Sequence, residues 1–132
     1  DTNFKTMELL EAFDEHNEVF HMTTKRIWPA AARDVLFLRT SQAWGEDGGF
    51  ITVGSSWKEE DSHSVPLPSG TIRVDLICGG FYIVPLPDNP HCCDVSYVSV
   101  VNPGGWLPDV LVSQATKQQL PGLYIGLRKL CE

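Results

Sequence analysis

Between Ser96 and Leu130 the spacing of apolar positions switches from two residues to three or four, which predicts a strand, a turn and a long helix. Ser96 to Val101 alternates small polar and β-branched residues, as a half-buried strand does. Asn102-Pro103-Gly104-Gly105 ends the pairing, because Pro103 lacks an N–H and the glycines admit a sharp turn. Pro108 and Asp109 suit a helix start, and Arg128 and Lys129 complement its negative end. Leu107, Leu111, Ala115, Leu123, Leu127 and Leu130 then fall on one apolar stripe, which requires a surface to lie against.

Upstream, the alternation predicts that surface. Glu18 to Arg26 reads as a strand with Phe20, Met22 and Thr24 on one face, and Asp34 to Ser41 as another with Val35, Phe37 and Arg39 together. Ile27 to Arg33, broken by Pro29 and carrying Trp28, is a compact loop between them. Phe50 to Trp57 is a third strand, with Gly54 marking a bulge or a close approach to the backbone. Thr71 to Pro85 is the longest, with Ile72, Val74, Leu76 and Cys78 buried and Arg73 and Asp75 wet. Pro87 to Cys92 reads as a turn, and Lys58 to Gly70 as an exposed connection. Phe4 to Phe13 fits helix or strand equally by spacing. Short connections between strands predict an antiparallel sheet covered by the C-terminal helix, an α+β fold.

Composition narrows the possibilities. The chain has 132 residues, 42% of them hydrophobic, enough for one domain with its own core. A net charge of -7 disfavours nucleic acid and a purely electrostatic hold on anionic membranes. No apolar run reaches membrane-spanning length and Asp1 to Leu10 lacks a signal-peptide layout, so the expectation is a cytoplasmic protein with its four cysteines reduced.

Candidate chemistry is sparse. His91-Cys92-Cys93-Asp94 has metal-ligand residue types without a second ligand pair at suitable spacing. Asp61-Ser62-His63-Ser64 lacks the rigid elbow of a hydrolase nucleophile. His16 and His21 have no evident carboxylate or cysteine partner, and His21, out of phase with Phe20 and Met22, reads as a surface histidine. Neither an enzyme nor a cofactor site is expected. What remains is a space between sheet and helix in which an elongated apolar ligand could lie while Arg39, Thr52, Tyr97 or Ser99 meets its polar end. A solidly packed core has the same alternation, so the pattern leaves both open.

Two stretches carry a family resemblance. HMTTKRIWPAAARDVLFLR, His21 to Arg39, and YVSVVNPGGWLPDVLV, Tyr97 to Val112, resemble signature regions of the START domain, the steroidogenic-acute-regulatory-related lipid-transfer family. The resemblance covers nearly the whole chain. It implies a helix-grip fold, a curved antiparallel sheet around a long C-terminal helix, and one sphingolipid or glycerolipid in a tunnel between them. It implies transfer between membranes through transient contact, at places where organelle membranes approach one another. The tunnel would be lined by Phe20, Met22, Phe37, Arg39, Thr52, Gly54, Val74, Leu76, Tyr97, Ser99, Leu111 and Ala115, and gated by Trp28, Pro29 and Trp106. Members that carry ceramide hydrogen-bond it from three strand positions that match Met22, Gly54 and Tyr97, and only the tyrosine keeps a polar group. Arg39 matches a cavity-facing arginine whose carboxylate partner is replaced by Phe20. Complete START domains begin with a helix, three strands and two short helices before the region matching Asp1. The resemblance therefore implies the C-terminal portion of a longer domain, or an open sheet edge covered by a second copy. A packed protein-interaction module without lipid is the alternative.

Overall fold

The computed structural model describes residues 4–58 and 65–131. Seven strands form one sheet in the order β1-β2-β3-β4-β6-β7, with β5 paired to β3 off that path. They are β1 (Phe4–Ala12), β2 (Asn17–Thr24), β3 (Ala32–Trp44), β4 (Gly49–Ser56), β5 (Thr71–Arg73), β6 (Asp75–Leu86) and β7 (Asn89–Asn102), followed by α1 (Asp109–Cys131). Short connections make neighbouring strands antiparallel, as expected from the sequence, apart from the parallel pairing of β5 with Ala32, Arg33 and Asp34.

Phe4 to Phe13, ambiguous by spacing, supplies strand β1, because β2 offers a partner edge that a lone helix would leave empty. The long strand expected over Thr71 to Pro85 divides at Val74. Its first three residues pair with the start of β3, while the rest pairs with β4 and β7. A register shift between Leu76 and Cys78 then turns Cys78 to the face opposite Leu76. Pro87 and Asp88 alone form the last hairpin turn, so most of the expected Pro87 to Cys92 turn belongs to β7. Pro90 is tolerated there because β7 pairs on one side only.

Cross-strand register defines the two faces of the sheet. Phe20 opposes Phe37, Glu18 opposes Arg39, Arg39 opposes Gly54, and Thr52 opposes Phe81, which opposes Tyr97. These side chains share one face. Val19, Leu36 and Val98 alternate onto the other. The buried apolar residues, Val19, Phe20, Ala30, Val35 and Leu36, cluster on β2, β3 and the loop between them. Strand β7 is exposed except at Tyr97, and no residue of α1 is fully buried.

Helix α1 runs through Pro121 without interruption. Pro108 carbonyl accepts from the N–H groups of Leu111 and Val112, starting the helix where the sequence placed it. Leu107, Leu111, Leu123 and Leu127 are half-buried, whereas Ala115 and Leu130 are exposed. Side chains and not backbone bridge the two layers, since no Cα atom of α1 comes within 8 Å of a strand Cα atom.

Candidate functional site

The face carrying Tyr97 is the one turned toward α1, since Gln119 Nε2 donates to the Tyr97 hydroxyl at 3.0 Å. Two long side chains meeting tip to tip are needed to bridge the layers. Gln119 lies four residues after Ala115 and four before Leu123, in line with the stripe. Its polarity in an otherwise apolar row is the one signal in the sequence that marks it.

Around that bridge the helix-facing surface mixes ring and polar groups. Phe81 and Tyr97 rings sit 4.8 Å apart, and Phe20 and Phe37 stack at 5.7 Å. Ser41 hydroxyl donates to Thr52 at 2.9 Å. Gly54 is buried, and a Cβ there would lie 3.3 Å from Phe37 Cδ2 and 3.2 Å from the Leu38 carbonyl. The strand is regular at Gly54, so of the two sequence explanations the close approach is the correct one.

Arg39 has a carboxylate partner that sequence comparison did not supply. Its Nη2 donates to Glu18 Oε2 at 2.6 Å, and the guanidinium lies 4.4 Å above the Phe20 ring. Phe20 occupies the position where the family pattern places an acid, yet the acid is present two residues earlier on the same face. Arg39 Nε is buried and bonds to no described residue.

Met22, Phe37 and Thr52 are half-buried on this face; Ser99 shares it and is exposed. Leu76 opposes Val101 and shares the face, while Val74 lies between β5 and β6 with its N–H bonded to the Asp34 carbonyl. Val74 lines a surface depression of about 390 Å³ with Leu36 and Trp57, away from the Tyr97 face. A second depression, of about 570 Å³, runs along Val110, Ser113, Gln114 and Lys117 on the outward side of α1. Trp28 and Trp106 are 81% and 69% exposed, and the Trp28–Pro29 peptide is cis.

Opposite the helix-facing surface, a buried ionic cluster corrects two expectations. Asp34 is 1% exposed. Its carboxylate accepts from Arg73 Nε at 3.1 Å and Nη2 at 2.8 Å, and pairs with His21 Nε2 at 2.9 Å. His21 is therefore no surface histidine, and Arg73 is not on a wet face. Both partners lie too far along the chain for local spacing to reveal. Burial alone would push the Asp34 carboxyl up, but hydrogen bonds from Arg73 and His21, with their charges, outweigh it and hold it below the ordinary range. His16, by contrast, is an exposed loop histidine bonded through Nδ1 to the Ser41 carbonyl.

Among the described residues no group of His, Cys, Asp and Glu is arranged to hold a metal ion, and no helix is long and apolar enough to cross a membrane. The Asp61 to Ser64 segment lies outside the described residues.

An antiparallel sheet facing one long C-terminal helix, with isolated polar groups set among aromatic rings, defines a helix-grip protein. The START domain family matches residues 1–131, and the chain belongs to that family. Human ceramide transfer protein is 28% identical over 133 residues, covering 92% of this chain and 21% of that protein. Its counterpart from Xenopus tropicalis is 26% identical over 132 residues, with the same two coverages. Human STARD10 superposes with a TM-score of 0.80 at 23% identity, covering 99% of this chain and 51% of that one. Human StAR-related lipid transfer protein 5 gives 0.76 at 20% identity, covering 96% and 59%. The chain thus spans about a fifth of the curated relatives it matches and about half of these solved structures.

Proposed function

We propose that this chain forms part of a lipid carrier, holding one lipid between the sheet and α1 and moving it between membranes without catalysing a reaction. The observation that carries the reading is that α1 meets the sheet through side chains, Gln119 reaching the Tyr97 hydroxyl, over a surface that is aromatic yet polar at chosen points. An acyl chain would lie along Phe20, Phe37 and Phe81, beneath Leu111 and Ala115, where its burial contributes about 0.8 kcal/mol per methylene. The lipid's polar end would meet Tyr97 and Gln119. Names of the relatives support lipid as the class of cargo.

Within that class, Met22 and Gly54 provide no side-chain hydrogen bonds, and Phe37 already fills the space a larger residue at Gly54 would need. An amide or hydroxyl left unpaired there costs about 1–3 kcal/mol, so cargo would be chosen by the remaining polar groups. A sphingolipid or glycerolipid presenting a hydroxyl or carbonyl to Tyr97 and Gln119 fits that demand. Trp28 and Trp106, exposed beside the loop and turn that flank the site, would enter the membrane interface transiently.

Native mass spectrometry of the natural protein purified from cells tests this. One lipid per chain is expected. Ala115→Arg should remove it, while Val98→Arg, on the opposite face and 58% exposed, should not. A stable protein that never carries lipid would leave the packed interaction module as the better reading.

A further inference from the structure

Arg33 joins two segments that are far apart in sequence. It is the second residue of β3, directly after the loop that carries Trp28 and Pro29. Its backbone N–H donates to Thr24 Oγ1 at 3.0 Å and its carbonyl accepts from the same hydroxyl at 3.2 Å, closing the base of that loop. Its Nη1 donates to the Ala31 carbonyl inside the loop at 2.8 Å. The other side of the same guanidinium reaches the turn before α1, with Nε donating to Pro103 O at 3.1 Å and Nη2 to Gly104 O at 3.3 Å.

That turn is narrowly seated. Gly104 and Gly105 both have φ of 61°, and a Cβ on Gly105 would fall 2.3 Å from Ile72 Cδ1. The turn is therefore held between Ile72 of β5 and the fork of Arg33, and Trp106 follows it at once. A planar fork with several donors can bond both segments together, whereas a lysine ammonium in the same place is a point donor on a flexible stem.

We propose that Arg33 is a positioning residue that couples the Trp28–Pro29 loop to the turn preceding α1, so that the two open and close as one. Its purpose, control of lipid entry and exit, rests on the carrier reading above. The coupling itself does not. Arg33 touches no lipid position, so its loss should alter the rate of transfer and leave the amount of bound lipid unchanged.

The test is hydrogen exchange on the natural protein, wild type and Arg33→Lys, following residues 25–31 and 102–108. In Arg33→Lys both segments should exchange about tenfold faster, with the central strands unaffected. Gly105→Ala, which strains the turn and presses its new Cβ on Ile72 of β5, should speed exchange in the 25–31 loop of the wild type and have no such effect in the Arg33→Lys background. Loosening confined to one segment, or an equal effect of Gly105→Ala in both backgrounds, would overturn the coupling. Transfer between donor and acceptor phosphatidylcholine vesicles should change several-fold in Arg33→Lys at unchanged lipid occupancy by native mass spectrometry. Lost occupancy would place Arg33 in binding and refute a positioning role. If the wild type carries no lipid, the carrier reading fails while the exchange result still decides the coupling.

Discussion

Asp34 shows how much of this protein's order is placed on single side chains. A carboxylate with no exposed surface is tolerable only because Arg73 and His21 both reach it. Because its folded pKa is depressed, it adds stability above the unfolded value of about 3.9, and that contribution is lost as pH falls through the lower folded value. Asp34→Asn should cost about 3 kcal/mol at pH 7, because the charge that Arg73 and His21 bond is removed from a buried site. Urea denaturation at pH 7 and pH 3 measures this, and the gap between variant and wild type should narrow at the lower pH. An equal gap at both would mean that the charge of Asp34 does not matter. The pairing was not legible in the sequence. Arg73 lies 39 residues from Asp34, and alternation assigned it to the solvent side because alternation knows nothing of a strand that breaks at Val74. Arg39 is the opposite case: its face is readable from period two, and only its partner, Glu18 across the register, is not.

Elements were more legible than their interruptions. Four strands, the terminal turn and α1 follow directly from spacing, since one buried face imposes its period on the residues that fill it. The division between β5 and β6 did not, because apolar alternation continues across Val74 while the hydrogen-bonding partner changes. Pro121 is a further local conflict. It removes the N–H that would bond the Lys117 carbonyl, and Gly122 follows it, yet the helix continues. Pro121→Ala should restore one backbone bond and remove a penalty of up to about 3 kcal/mol. Slower amide exchange over residues 118–126 is the expected result. Unchanged exchange there would show that the helix gains its order from the stripe against the sheet and not from its own ladder.

For the molecule as a whole, the sheet ends in two strands with one neighbour each, β1 and β7. On β7, Val98 and Val100 are exposed, and Ile77 of the adjacent strand is 57% exposed. A long, partly apolar edge favours pairing with another chain unless something covers it. The 132-residue chain prepared alone should therefore self-associate with rising concentration, and Val98→Lys with Val100→Lys should shift it toward monomer in light scattering. A monodisperse, cooperatively unfolding monomer without those lysines would show that the edge is harmless. The net charge of -7 works against association, so added salt should promote it.

The bond between Gln119 and Tyr97 bears on how an occupant would be received. A hydroxyl or carbonyl arriving at mid-gap can take the place of either partner, trading one neutral bond for another, so the exchange releases little heat. Loading would then register in calorimetry chiefly as a negative heat-capacity change from buried hydrocarbon. A carrier of the kind proposed would hold its cargo by exclusion of water and release it once hydrocarbon is offered on the other side.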